Sequence, residues 1–413
     1  MAESAYKKMK LPSLADAGAS LGAADAFLEA LPGAKSSTSS SSEELAFGSC
    51  HLPPRLLAET FPSSGLRPAA AAQLLRDFRA LDSRPSLNVA SFVTTQVEPE
   101  CRELMAEALT VNFIDEEEYP STAQIQQQCV AQLGDLLFAE RDGGDDGGGG
   151  GPGKHCGTST VGSSEAILLS YLAMKRRWQE KRRAAGLPLV GVQCSVVVPS
   201  SYHVCHEKAA NYFEIEMRVA PLKKDRYWSV AEDLLPLVDE TTIGCVCILG
   251  STYTGHFDDV AGISAALEAH NAKNPGHDVG LHVDGASGGF IAATLFPHLR
   301  ADFRSAAVVS MNLSGHKTGQ VCAGVGWAMF RSRKYLPESL VFHGTRENGR
   351  FSFFFLFFFS LPLRLLADLF LRSLSLSIFF LLLSLSSDSY LGNDQISFTL
   401  NFSKGASQIL GQA

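Results

Sequence analysis

The chain has 413 residues, 46% of them hydrophobic, and a formal net charge of −8. That length can bury a sizeable core in one large domain with smaller appendages, and the acidic balance leaves no basic footprint, which excludes nucleic acid as a partner. Nine cysteines, an odd number with no C-x-x-C pair, point to free thiols in a reducing, cytoplasmic compartment rather than to a disulfide framework.

Residues 1–82 are rich in Ala, Ser and Pro, so a mostly disordered extension is expected, with a short helix over 69–81. Residues 1–11 carry lysines but no apolar stretch, unlike a secretory signal or a transit peptide. An extended segment is expected over 87–94, a helix over 99–110 with proline at its start, and another over 122–138. The run 142–153 is largely Gly and Asp. Glycine gives up the most backbone freedom on ordering, so this run is expected to be a flexible insertion.

From 164 onward the pattern alternates. Helices are expected over 164–185, 204–213, 230–238 and 260–269, with strands over 192–198, 215–220, 244–250, 279–284, 307–313 and 325–330. Short apolar strands separated by helices specify an α/β domain over 154–345, with a mainly parallel sheet covered by helices on both faces. Ligands in such folds bind beyond the strand ends.

Three stretches carry the chemistry. Ser314-Gly315-His316-Lys317 follows an apolar run, and a lysine at the end of a buried strand can lose its proton by desolvation and condense with an aldehyde. Gly280-Leu281-His282-Val283-Asp284-Gly285-Ala286 reads as a buried strand ending on an aspartate. Gly157 to Glu165 is a loop of glycines and hydroxyls that opens a helix, where backbone N–H groups and the helix dipole favour an anion. Alone, each has a plainer reading: Lys317 in a surface turn, Asp284 capping a turn with Ser287, Ser163 and Ser164 as an N-cap. Together they are what a pyridoxal phosphate enzyme needs. His203, Cys205, His206, Cys245 and Cys247 offer zinc-type ligands, but their spacing fits no zinc pattern, and Cys245 and Cys247 sit in an apolar strand. Core packing is expected there, and no metal.

The motifs Val89-Ala90-Ser91-Phe92, Ile114-Asp115-Glu116-Glu117-Glu118-Tyr119-Pro120, Thr160-Val161-Gly162-Ser163-Ser164-Glu165-Ala166, 282–290, 312–317 and Phe398-Thr399-Leu400-Asn401-Phe402-Ser403 together resemble glutamate decarboxylase of the plant and bacterial type. That family belongs to the group II pyridoxal phosphate-dependent decarboxylases of fold type I. The resemblance implies pyridoxal 5′-phosphate held by Lys317, with Asp284 at the pyridine nitrogen and Ser163, Ser164, Ser314 and His316 at the phosphate. It puts Thr252 in contact with the ring, Ala286 against one ring face and His203 over the other. His203 stands where similar glutamate decarboxylases have glutamine and related amino acid decarboxylases have histidine.

The resemblance further implies that Thr399 reaches the phosphate across a subunit interface, hence at least a homodimer, and that 83–141 carries substrate-contact and dimer elements. Ser91, in place of a threonine, would hold the side-chain carboxylate of L-glutamate with Phe92 and Asp115. One of the two facing acids must then be protonated, which favours mildly acidic conditions. The implied reaction is loss of the α-carboxyl group as carbon dioxide, giving 4-aminobutanoate. Two alternatives stand beside it: a related decarboxylase or lyase acting on another amino acid, and an inactive chain that binds cofactor.

Residues 346–389 break the pattern, being mostly Phe, Ser and Leu. The apolar stretch 351–363 is short of the roughly 20 residues needed to cross a bilayer, and Arg364, Asp368 and Arg372 then interrupt it, so no membrane span is expected. Phe, Ser, Leu and Pro all have codons made only of pyrimidines, as a translated tract near a splice junction would, and a retained intron is the expectation. A spliced message encoding these residues in frame as the main product would argue for a true insertion. Residues 390–413 read as the start of a C-terminal region. The family's small C-terminal domain, and the calmodulin-binding tail of some plant members, would lie beyond Ala413.

Overall fold

The computed structural model describes residues 65–143, 153–344, 395–401 and 403–413. Residues 1–64, the run 144–152 and the stretch 345–394, which holds the Phe/Ser/Leu block, lie outside the described residues, as do the expectations made for them. The chain divides into two units after Ser83. The first contributes a helix, Pro68–Arg79, with proline in its first turn.

Within 84–413, alternating runs of apolar and small residues lie flat as strands. The short β1 (Arg141–Asp142) and β2 (Lys154–His155) pair antiparallel, so the two ends of the Gly/Asp run are joined. The strands β3 (Gly157–Thr160), β4 (Ser195–Pro199), β5 (Glu216–Ala220), β6 (Thr242–Ile248), β7 (Gly280–Gly285), β8 (Val308–Ser314) and β9 (Gly326–Phe330) form one sheet in the order β3-β9-β8-β7-β6-β4-β5. From β8 to β5 the pairing is parallel; β9 and β3 add to that edge antiparallel. A last pair, β10 (Phe342–Gly344) with β11 (Gln395–Ser397), joins the chain on either side of 345–394.

Side chains alternate between the two faces of a strand, and here the two faces differ in kind. Cys245, Cys247, Leu281, Val283, Met311 and Leu313 point into one apolar core. Ile243, Val246, Ile248, Val196 and Val198 point into the other, beneath the helices Ser163–Ala184 and Val204–Tyr212. On that second face the middle strands carry polar groups instead: His282 and Asp284 from β7 lie beside Ser310 and Asn312 from β8, their in-register neighbours. The sheet therefore places a buried polar cluster at the carboxyl ends of its central strands.

Three local expectations differ. Residues 87–94 are not extended: Pro85–Leu87 makes a 3-10 turn, and the Asn88 side chain both donates to the Ala90 carbonyl at 3.1 Å and accepts from its amide at 3.0 Å. Asparagine competes for backbone groups in this way and favours a turn. The helix expected over 230–238 is α only at Ala231–Leu234 and tightens to 3-10 at Leu235–Leu237, because Pro236 has no N–H to continue the ladder. Gly157–Thr160, expected as loop, is strand β3 against β9.

Candidate active site

Asp284 ends β7, 5% exposed, and its carboxylate is almost fully engaged. One oxygen, Oδ1, accepts from Asn312 Nδ2 at 2.8 Å and from the Ala286 amide at 3.0 Å, while Oδ2 is 2.9 Å from His206 Nε2. Burial alone would raise this carboxyl. The His206 imidazole beside it, with Asn312 and the Ala286 amide, instead holds it well below the usual carboxylate range. The cluster continues through Asn312 Oδ1 to His282 Nε2 at 2.9 Å, and from His282 Nδ1 to Ser310 Oγ at 2.8 Å.

His282 has a consequence for stability. Burial, with His206 nearby, pushes it down from 6.5 to about 4. Because the folded value lies below the unfolded one, the unfolded chain takes up the proton first as pH falls. Stability is therefore full above pH 6.5 and is lost toward pH 4. About 2 kcal/mol should disappear between pH 7 and pH 5, read as a lower urea midpoint, and His282→Gln should flatten that dependence.

Lys317 follows β8 in a tight turn, its amide 3.3 Å from the Ser314 carbonyl. Its Nζ donates to Ser287 Oγ at 3.3 Å, and Ser91 donates to the same oxygen at 3.0 Å. Thr94 and Thr318 pin this turn, through the Lys317 carbonyl at 2.8 Å and the Ser287 carbonyl at 3.1 Å.

At the opposite wall the helix Ser163–Ala184 begins, with Gly162 as its N-cap. Ser163 Oγ is buried there without a hydrogen-bond partner among the described residues. A buried hydroxyl left unpaired beside free helix N–H groups is suited to an anion. The loop is held from below by Glu165, which accepts from the Val161 amide at 2.8 Å and from Leu400 and Asn401 at 2.9 and 3.3 Å. Gly326 of β9 runs directly under it: a Cβ there would lie 2.4 Å from the Gly162 carbonyl carbon and 2.5 Å from the Ser163 nitrogen, so only glycine permits the approach. His316 completes this end, with Nδ1 2.9 Å from the Val325 carbonyl and Nε2 3.3 Å from Ser314 Oγ.

These walls enclose a cavity of about 350 Å³. Phe92, Ser163, Ser164, His203, Thr252, Asp284, Ala286, Ser314, His316 and Lys317 all line it, together with Ser287. Ser91 touches it only through Ser287. Two expected site residues are elsewhere. Thr399 lines a separate cavity of about 260 Å³, its hydroxyl donating to the Asn401 carbonyl at 2.7 Å. The Asp115 carboxylate caps its own turn, accepting from Glu117 and Glu118 amides at 3.1 and 3.0 Å. In this chain's own cavity neither is a wall residue.

Asn312 and Tyr171 have no role in the sequence reading, where His206 stands only among zinc-type ligands and Ser287 only as a turn partner of Asp284. For His206 a signal existed: it lies three residues after His203, one turn into the same helix. The Cys205, His206 and Asp284 side chains lie close enough to suit a metal ion, but His206 and Asp284 are already bonded to each other and line or back the cavity just described. Cys245 and Cys247 are fully buried core residues, and burial pushes the Cys245 thiol up to about 12.

Residues 62–345 match the pyridoxal-dependent decarboxylase conserved domain. The chain belongs to this family. It is 42% identical over 343 residues to glutamate decarboxylase 5 of Arabidopsis thaliana, covering 83% of this chain and 58% of that protein. It is 41% identical to glutamate decarboxylase of Solanum lycopersicum, covering 85% of this chain and 59% of that one. Among solved structures, Lactobacillus brevis glutamate decarboxylase superposes with a TM-score of 0.69 at 36% identity, over 86% of this chain and 68% of the other. The fold is thus that of the fold-type I pyridoxal phosphate decarboxylases, and the chain spans a little under three fifths of the length of these plant relatives.

The residues present fit pyridoxal phosphate. The unpaired Ser163 hydroxyl at a helix start suits a phosphate, the ionised Asp284 suits a protonated ring nitrogen, and Lys317 is the one amine among the described residues of the cavity wall.

Proposed function

We propose that this chain is the cofactor-binding part of a decarboxylase that converts L-glutamate to 4-aminobutanoate and carbon dioxide. The observation that carries the reading is the convergence of Lys317, Asp284 and the open start of the Ser163–Ala184 helix on one cavity. The names of the relatives at 36–42% identity support glutamate as the substrate.

Lys317 would hold the cofactor's aldehyde carbon through Nζ. Ser163, Ser164, Ser314 and His316 would hold its phosphate, Thr252 would touch the ring, and Ala286 and His203 would flank the two ring faces. When bound, pyridoxal phosphate supplies a conjugated ring that accepts the electron pair left at the substrate's Cα. Asp284 keeps a proton at the ring nitrogen by being an ionised neighbour. His203 and Ala286, both on the cavity wall, would confine the ring from its two sides, so that the substrate's Cα–carboxylate bond could be held in the orientation that favours its cleavage. Ser287, in contact with both Lys317 and Ser91, can hold the Lys317 amine in place near Cα. Ser91 and Phe92 would meet the substrate's side-chain carboxylate, and one proton would be taken up at Cα for each carbon dioxide released.

Thr399 lies off this chain's own cavity, in keeping with its reaching the phosphate of a second copy in a homodimer. Phe92, Val161 and Tyr253 leave apolar surface near the cavity for a second copy to cover. The described cysteines are free, in keeping with a cytoplasmic location; among the described residues no helix is long and apolar enough to cross a membrane. Light scattering and cell fractionation test these two points.

The deciding assay supplies pyridoxal phosphate and measures carbon dioxide release from glutamate, aspartate and aromatic amino acids. Glutamate should be turned over fastest, by roughly a hundredfold over the aromatic substrates. Faster release from another amino acid would favour a different decarboxylase, the reading that His203 invites. Cofactor absorbance without any turnover would mean a chain that binds but does not catalyse.

A further inference from the structure

Asp284 is held by more than its own strand. His206 and Tyr171 are both fully buried and come from two different helices, Val204–Tyr212 and Ser163–Ala184, that cover the same face of the sheet. Their rings are 5.8 Å apart and tilted by 52°. His206 Nε2 is 2.9 Å from Asp284 Oδ2, and the Tyr171 hydroxyl is 3.0 Å from His206 Nδ1. An ionised carboxylate can only accept, so Nε2 carries the hydrogen it donates. The other ring nitrogen faces the tyrosine hydroxyl, which keeps its hydrogen because burial raises that phenol well above its ordinary value.

A carboxylate offers about four lone-pair positions. Asn312, the Ala286 amide and His206 occupy three of them, and Asp284 also lines the cavity. Among the described residues, His206 is the one donor to Oδ2. Rotation of the carboxylate about its Cβ–Cγ bond is thus opposed on one side by β8 and on the other by a helix. The remaining titratable groups near Asp284 are His203 and Cys205 on the helix that carries His206, His282 on its own strand, and Lys317 across the cavity. Of these only His282 is tied to it through the hydrogen-bond chain, by way of Asn312.

We propose that His206, backed by Tyr171, is a positioning residue that turns the Asp284 carboxylate so that its last lone pair faces the place where the cofactor's ring nitrogen binds. This role rests on the cofactor reading above. His206 touches neither cofactor nor substrate; it acts through Asp284. Its effect should therefore appear in cofactor affinity and in the pH response of the bound cofactor, not in stability alone.

The test compares wild type with His206→Phe, His206→Gln, Tyr171→Phe and Asp284→Asn in full chain, measuring pyridoxal phosphate dissociation constants, the visible absorbance of attached cofactor across pH, and urea midpoints. His206→Phe should weaken cofactor binding roughly 10–100-fold, and the pH profile of its absorbance should shift from that of the wild type. His206→Gln, which returns a donor from the same helical position, should recover binding to within about threefold, and Tyr171→Phe should lose about threefold. If His206→Phe lowers the urea midpoint but leaves affinity and pH response as in wild type, His206 is a packing residue and the proposal is overturned. Should that variant not fold, an unchanged pH response in both His206→Gln and Tyr171→Phe, with Gln binding tenfold or more weaker than wild type, overturns it equally. Wild-type affinity and absorbance in Asp284→Asn would instead fault the cofactor reading itself, and the positioning role would fall with it.

Discussion

A Lys317→Ala chain is expected to lose the visible absorbance of attached cofactor and to release carbon dioxide from glutamate roughly ten-thousandfold more slowly, the scale on which deleting a covalent catalytic group acts. The cavity wall gives a reason for so large an effect: among its described residues Lys317 supplies the one amine, so no neighbour can take over attachment. Stability should change little. The side chain is half-buried and makes one hydrogen bond, to Ser287 at 3.3 Å, worth about 1 kcal/mol. Lys317→Arg separates charge from reactivity, because a guanidinium keeps the positive charge but does not condense with an aldehyde. It should be as inactive as alanine. A small primary amine added to the alanine variant should restore part of the rate, since it enters the space the side chain left. An absorbance band that survives in Lys317→Ala would place attachment elsewhere and remove the basis of the mechanism.

The sheet was legible because its strands are short, apolar and buried on both faces, so β4, β6, β7 and β8 announce themselves as runs of Val, Ile, Leu and Cys between helices. Lys317 and Asp284 were legible for a related reason: each sits where such a run stops, near the carboxyl ends of central strands, where ligands bind in α/β folds. Ser163 was legible instead as the start of a helix after a loop of glycines and hydroxyls. What the residue order hides is pairing between distant segments. Tyr171 and His206 are 35 positions apart, and His206 and Asp284 are 78 apart. Nothing local in either partner records the bond. The pairing of β3 with β9 was obscured likewise, because Gly157–Thr160 reads as loop until its antiparallel register with β9 and the close approach of Gly326 to the Gly162 turn are seen. For Asp115 the residue order shows a motif but not the local geometry, in which the carboxylate accepts from the amides of its own turn.

Replacing Asp284 by asparagine and by alanine should separate catalysis from folding. In Asp284→Asn the amide oxygen can keep the hydrogen bonds from Asn312 and Ala286, at 2.8 and 3.0 Å in the parent. The new NH₂ then meets His206 Nε2, donor against donor. The conflict has a way out: His206 can carry its hydrogen on Nδ1 instead, and the Tyr171 hydroxyl can turn to accept it. The network is rebuilt, so the urea midpoint should stay within about 1 kcal/mol of wild type. The charge is not rebuilt. A neutral amide does not favour a proton on the ring nitrogen, and carbon dioxide release should fall roughly a thousandfold to ten-thousandfold, the upper figure being the effect of a neutralised, tautomer-switching aspartate in other sites. Alanine offers no such repair. It leaves His206 Nε2, Asn312 Nδ2 and the Ala286 amide without their carboxylate acceptor at a buried position, and should cost about 3 kcal/mol of stability. Near-equal midpoints for the two variants would mean that the cluster is not the connected unit described, and wild-type turnover in Asp284→Asn would remove Asp284 from the chemistry altogether.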